Sequence, residues 1–132
     1  MLSPNRYSFE YSATQRNIID EPTGLTWQRD ASPDKFTWEA ARDGCASLGN
    51  GARLPGLNEL MTLVDFVATA PAIDTDFSDT PAERFWTASS LDGTMSAWAV
   101  DFKTGDPVIA QKQELGWVRC VRNESASSRF GS

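Results

Sequence analysis

The residues with the clearest chemical potential are two cysteines, Cys45 and Cys120, in a chain that has no histidine. Without imidazole there can be no Ser-His-Asp or Cys-His nucleophile pair and no zinc site with histidine ligands. General acid–base catalysis would depend on carboxylates, lysine, tyrosine or cysteine with shifted pKa values. The cysteines lie far apart and form no CxxC motif, so they are either two buried thiols or one disulfide. Most soluble enzymes contain histidine, so its absence favours a binding or structural role, and we expect that the protein is not an enzyme.

A possible metal site is an acidic segment with three closely spaced aspartates, Asp74, Asp76 and Asp79. Calcium takes about six to eight oxygen ligands, and this spacing resembles the start of an EF-hand loop. However, Asp79 stands where that loop requires glycine, and Phe85 stands where it requires the closing glutamate. We predict no cofactor, with calcium at these aspartates as the alternative, and interpret the aspartates as capping turns in a solvated loop.

The composition limits the classes of partner. The 132 residues include 12 Lys and Arg and 18 Asp and Glu, which gives a formal net charge of −6. Such an acidic balance argues against nucleic-acid binding, which needs a basic face. The length and the 40% hydrophobic content predict one domain with a core. Since no apolar run approaches the ~18 residues that span a bilayer, we predict no membrane insertion. The first residues lack the apolar run of a secretory signal, so any export signal is expected outside this sequence.

Hydrophobic periodicity predicts how these residues are positioned. Residues 6–12 and 25–29 alternate as strands do. Apolar residues spaced three and four positions apart then predict a first helix, with Thr37 as its N-cap and a glycine-rich end at 49–51. The inward stripe of this helix comprises Trp38, Ala41, Cys45 and Leu48. A second helical stripe comprises Leu57, Leu60, Met61, Val64 and Val67.

The second half of the chain is predicted to contain a long loop and then strands only. Residues 70–83 show no sustained period. Strands are predicted over 84–90, 95–102, 108–113 and 117–122, with Trp98, Val100 and Phe102 on one face of the second of these. The order predicts an α+β fold in which two helices pack on one antiparallel sheet.

Several segments, in this order, resemble the bacterial Lcl C-terminal domain family, which is typified by a collagen-like adhesin. The matching segments are TGLTWQR (23–29), TW (37–38), RLP (53–55), LVD (63–65), PAID (71–74), FWTASS (85–90) and VRCVR (118–122). Single matching positions are Ala40, Cys45, Leu48, Glu59, Leu60, Ala97, Trp98, Val100, Phe102 and Lys103. The resemblance covers about residues 17–122.

This resemblance implies a C-type-lectin-like fold in which a cysteine of the first helix is bonded to one in the last strand. It therefore favours a Cys45–Cys120 disulfide and an extracellular or cell-surface location. Within the matching segments we interpret Trp27, Trp38, Trp86, Trp98 and Val118 as core residues, and Arg53 and Glu59 as anchors of loops. We predict a lead-in strand over 1–16, the lectin-like domain over 17–122 and a flexible tail over 123–132.

Ligands of lectin-like domains generally bind at the long loop and at the hairpin around 91–96. Sugars are held by an aromatic face together with planar polar groups. Trp117 is predicted to provide that face, the alternative being that it packs beneath the N-terminal strand. The complete predicted ligand set is Arg84, Asp92, Asp101, Lys103, Gln111, Lys112 and Trp117.

Three functions are compatible with the sequence. The first is an adhesion domain that binds a glycan or a protein on another surface. Since the family's adhesin is trimeric and binds sulfated glycans, the resemblance implies a homotrimer; the charge of −6 favours neutral glycans or proteins over polyanions. The second is a structural cap for a trimeric fibre. The third, a relative of formylglycine-generating enzymes, is disfavoured because their reactive cysteines lie close together near the end of the chain.

Overall fold

The computed structural model describes residues 7–11, 16–68, 71–74, 77 and 80–123. Within these ranges the order of elements is β1 (Tyr7–Tyr11), β2 (Arg16–Asp20), β3 (Leu25–Gln28), α1 (Trp38–Ala46), α2 (Leu57–Met61), β4 (Arg84–Ser90), β5 (Ser96–Asp101), β6 (Asp106–Gln111) and β7 (Val121–Asn123). The predicted strand-helix-helix-strand order is confirmed. Strand β2 had not been predicted.

The strands form two antiparallel sheets instead of the single predicted one. The first sheet has the order β1-β2-β3-β7, and the second has the order β4-β5-β6. The predicted last strand is shortened to β7 because the residues before it form only isolated bridges, Gly116 with Phe36 and Trp117 with Phe85, and no continuous ladder. The N–H of Trp86 donates to the carbonyl of Trp117 (3.0 Å), and the N–H of Ser32 donates to the carbonyl of Val118 (2.9 Å). This connecting segment, residues 116–120, therefore joins the two sheets.

Two groups of buried side chains form the core. The first packs sheet one against α2 and one end of the second sheet, and contains Ile18, Leu25, Trp27, Leu60, Leu63, Ile73, Phe77, Phe85, Val100, Phe102 and Val121. The second packs α1 on the other side of the second sheet, and contains Trp38, Ala41, Cys45, Leu54, Trp86, Ala97, Ala99, Ala110, Val118 and Cys120. Four of the five predicted core positions are thus buried. The prediction for Trp98 is wrong, since this side chain is half-buried and belongs to neither group.

Helix α1 follows its predicted pattern more closely than α2 does. The hydroxyl of Thr37 accepts from the N–H of Ala40 (3.4 Å), which confirms the N-cap. The helix ends at Ala46, so Leu48 lies beyond it and is 48% exposed. Helix α2 ends at Met61 because the chain then turns to bring Val64 beside Ile73 in an isolated bridge. Val67, the predicted end of the stripe, is 94% exposed.

Candidate functional site

The two cysteines form a disulfide, with Cα atoms 5.5 Å apart. This confirms the pairing implied by the resemblance. Cys45 lies on the buried side of α1, and Cys120 ends the connecting segment that carries Trp117. The disulfide therefore fixes the Cys120 end of the connecting segment. Trp117, near the other end of the segment, contributes to the candidate site.

Beside the connecting segment lies an open pocket of about 450 Å³, which we call the Trp117 pocket. It is lined by Lys35, Ala82, Glu83, Arg84, Asp101, Lys103, Leu115, Gly116 and Trp117. Its volume falls within the range of small-ligand sites, which is about 300–1,000 Å³.

The strand register brings the polar residues of the pocket together. Arg84 and Asp101 are direct partners at the ends of β4 and β5. The backbone N–H of Trp117 donates to the carbonyl of Arg84 (2.9 Å), which places the indole beside the same strand end. Trp117 is half-buried and packs against the first core group. It is therefore held by the core while part of its surface lines the pocket.

Glu83 is hydrogen-bonded to two other residues of the pocket. Its Oε1 accepts from the indole Nε1–H of Trp117 (2.9 Å) and lies 2.9 Å from the Nζ of Lys35. The hydrogen bond from Lys35, followed by that from Trp117, lowers the pKa of the Glu83 carboxyl. The Lys35 ammonium also lies 5.8 Å from the centre of the Trp117 ring. One carboxylate thus orients both the aromatic and a cationic group.

The other charged residues of the pocket differ in their hydrogen-bond and ion-pair partners. The Nη1 of Arg84 donates to Oε1 of Glu114 (2.9 Å), and this bond lowers the pKa of Glu114. The Oδ1 of Asp101 accepts from the backbone N–H of Lys103 (2.9 Å). The Lys103 side chain is exposed, and across residues 7–11, 16–68, 71–74, 77 and 80–123 no carboxylate forms an ion pair with it. Lys103 is the pocket cation that remains available to a ligand.

The structure brings together four of the seven predicted ligand residues: Arg84, Asp101, Lys103 and Trp117. The other three are not among the residues that line the pocket. Asp92 is exposed in the turn between β4 and β5. The Lys112 ammonium lies 4.2 Å from the centre of the Trp38 ring, and Gln111 contacts Glu114 through its backbone N–H (3.2 Å).

Sequence reasoning missed Lys35 and Glu83. Both lie in polar segments without periodicity, one after β3 and the other just before β4, and neither segment has a motif that predicts a shared location. The predicted loop anchors are confirmed, since Arg53 and Glu59 form a double hydrogen bond of 2.6 and 2.8 Å away from the pocket.

A buried arginine supports the connecting segment from inside. The Arg119 side chain is 1% exposed, and its Nη1 donates to the carbonyls of Gln28 (2.9 Å) and Arg29 (2.6 Å). Burial lowers the pKa of Arg119 to about 9, while the negative charge of Asp30 opposes this shift. The guanidinium therefore stays charged at neutral pH. Its hydrogen bonds hold the connecting segment in place at Arg119, two positions after Trp117.

The calcium alternative is not tested by the structure. Asp74 is described, but Asp76 and Asp79 lie outside the described residues. Within the described ranges, no group of three or more potential acidic or cysteine ligands could hold a metal ion. Among the same residues, no helix has both the length and the hydropathy to cross a membrane.

The fold is C-type-lectin-like, as solved structures with the same architecture show. A crystal structure of botrocetin covers 92% of this chain and 99% of its own chain, with a TM-score of 0.55 and 14% identity. Botrocetin in complex with a mutant von Willebrand factor A1 domain gives a TM-score of 0.51, 13% identity and coverage of 92% and 99%. No curated protein sequence matches the chain.

The sequence comparison identifies the family. The Lcl C-terminal domain matches residues 16–122, which is most of the chain. The protein therefore belongs to the Lcl C-terminal domain family, and its fold is the one that the sequence resemblance implied.

Proposed function

We propose that this protein is a non-catalytic recognition domain that binds a glycan or a protein of another surface at the Trp117 pocket. The observation that supports this most directly is the convergence of Arg84, Asp101, Lys103 and Trp117 on one open pocket. Aromatic surface, an available ammonium and a carboxylate together match the groups that hold saccharides, whose rings have an apolar face and hydroxyl edges.

In the second form of this proposal, the Trp117 pocket binds a protein. Botrocetin, which shares the fold, is seen in complex with the von Willebrand factor A1 domain. The mixed charges of the Trp117 pocket and the exposed Leu115 at its edge are also compatible with a protein surface. The net charge of −6 favours neutral glycans or proteins over polyanions.

The Cys45–Cys120 disulfide supports an extracellular or cell-surface location, because such bonds persist in oxidising compartments. A weak site on a surface protein gains avidity if several copies are displayed together. We therefore propose a homotrimer, as the resemblance to a trimeric adhesin implies. Its mass in solution is measured by sedimentation equilibrium.

The test is binding of a multivalent display of the domain to glycan arrays and to intact cells. The variants W117A and K103A are expected to reduce binding at least tenfold. D92A and K112A are the matched controls, since both residues were predicted as ligands but lie outside the pocket. Because Lys103 is exposed, K103A removes an ammonium without disturbing the core. Binding that is unchanged in both pocket variants, or equally reduced in the controls, would contradict the proposal.

A structural cap for a trimeric fibre is the second candidate function. It is favoured by two adjacent apolar side chains, Phe66 and Val67, which are 70% and 94% exposed. Contiguous exposed apolar residues commonly mark interfaces. If they lie between subunits, F66S/V67S should convert the trimer to monomers, whereas a variant that remains trimeric would exclude this interface.

A further inference from the structure

We propose that Glu83 determines the ligand class of the Trp117 pocket. Its carboxylate occupies the cationic side of the pocket, so that the pocket accepts an uncharged, hydroxyl-rich ring and rejects an anionic one. This inference rests on the proposed binding function of the pocket and specifies the substrate class.

Glu83 already takes the place of an anionic ligand in the pocket. Its Oε1 accepts from both Trp117 Nε1 and Lys35 Nζ at 2.9 Å, and these are the donors that a ligand carboxylate would use. Glu114 engages Arg84 in the same way. Of the three cations that the described residues contribute to the pocket, two are thus neutralised by carboxylates of the same chain.

The charged groups around the pocket are balanced before any ligand binds. Among the described residues that line or adjoin the pocket, three cations (Lys35, Arg84 and Lys103) are balanced by three carboxylates (Glu83, Asp101 and Glu114). An anionic ligand would lie next to Glu83 and Asp101 and would be repelled by them. To reach Trp117 Nε1 and Lys35 Nζ, it would have to displace Glu83 from both donors.

The groups that remain for a ligand match hydroxyls and an apolar ring face. The exposed Lys103 ammonium donates hydrogen bonds, and its neighbour Asp101 has a second carboxylate oxygen that accepts them. A hydroxyl group can both accept and donate, so two adjacent hydroxyls match this pair. The apolar face of the same ring would contact the exposed parts of Trp117 and Leu115.

The experiment follows the indole N–H resonance of Trp117, assigned with W117F, in ¹⁵N-labelled protein. The probes are the methyl glycosides of glucose, galactose and mannose, each compared with the methyl glycoside of its hexuronic acid. In the wild-type protein we expect at least one neutral glycoside to shift the resonance and to bind at least tenfold more tightly than its uronic partner. In E83Q we expect the affinity for the uronic partner to rise at least tenfold.

The matched control is E39Q, which makes the same change in net charge on the exposed side of α1. It should leave both affinities unchanged. The inference is overturned if the wild-type protein binds the uronic acids as tightly as the neutral glycosides, if no neutral glycoside shifts Trp117, or if E83Q behaves like E39Q. These outcomes are separate from the cell-binding test of W117A and K103A. If E83Q gains uronic-acid binding while those variants still bind cells, Glu83 has the inferred role and the proposed function fails.

Discussion

The guanidinium of Arg119 donates a hydrogen bond of 2.7 Å to the hydroxyl of Thr80, which lies 39 residues earlier in the chain. The Thr80 hydroxyl in turn donates to the carbonyl of Phe77 (2.6 Å), and the Phe77 ring lies 5.0 Å from the guanidinium carbon. One buried cation therefore connects the end of the long loop to the connecting segment. These are the two parts of the chain from which Glu83 and Trp117 enter the pocket.

Replacing Arg119 by methionine should destabilise the protein by about 3 kcal/mol, because the carbonyls of Gln28 and Arg29 and the hydroxyl of Thr80 would lose a buried donor. T80V removes one of these bonds together with the bond from the Thr80 hydroxyl to the carbonyl of Phe77, and should cost about 2 kcal/mol. The measurement is urea unfolding of both variants beside the wild-type protein. A loss for R119M that is no larger than the loss for T80V would contradict this expectation.

Removing the Cys45–Cys120 disulfide should lower the free energy of unfolding by up to about 4.5 kcal/mol, because the unfolded chain regains the freedom of a long loop. The loop spans a sequence separation of 75 residues. The comparison is between the wild-type protein and C45A/C120A in guanidinium unfolding. Reductant should lower the stability of the wild-type protein and leave that of the double variant unchanged. A double variant as stable as the oxidised protein would refute the expectation.

The fold was predictable because local patterns and tertiary packing agree over most of the chain. Trp38, Ala41 and Cys45 were assigned to a buried stripe from their spacing alone, and the structure buries all three. The pattern failed at Val64 and Val67, where tertiary bonds compete with the helix. The N–H of Asp65 donates to the carbonyl of Ala72 (2.8 Å), which draws the chain out of α2 after one turn and a half.

The candidate site was predictable only in part, for a different physical reason. Arg84 and Asp101 lie in strands joined by a short turn, so the pairing of the strands could be inferred. The exact partners could not, because the register shifts between Trp86 and Ser90. Lys35 approaches Glu83 because residues 116–120 bond to β4 on one side and to the segment after β3 on the other. Such a meeting depends on long-range packing, and no local sequence pattern encodes it.

The stability of the protein should depend on Glu59 at acid pH. Its pKa is lowered chiefly by the hydrogen bonds from Arg53, with a further contribution from the N–H of Gly56. Because folding lowers this pKa, the contribution of Glu59 is complete above the unfolded-state pKa near 4.5 and is lost as the pH falls through the lower folded-state value. In urea unfolding, E59Q should therefore lose less stability between pH 6 and pH 3 than the wild-type protein does. Parallel pH profiles would contradict this.

Gly105, in the turn between β5 and β6, should be the glycine least tolerant of substitution. Its φ of +88° disfavours a side chain, and a Cβ atom there would lie 2.7 Å from Cγ1 of Val64. Gly93 is the matched control, because its φ is +72° and nothing lies within 4 Å of the added Cβ. G93A should cost about 1 kcal/mol from backbone strain alone.

G105A should therefore cost at least about 1 kcal/mol more than G93A in the same thermal or urea unfolding experiment, since the new methyl group must displace Val64. The additional variant V64A removes the obstructing methyl groups, so the double change G105A/V64A should cost less than the sum of its single changes. Strict additivity would mean that the contact with Val64 does not constrain the turn, and that the strain at Gly105 comes only from its backbone.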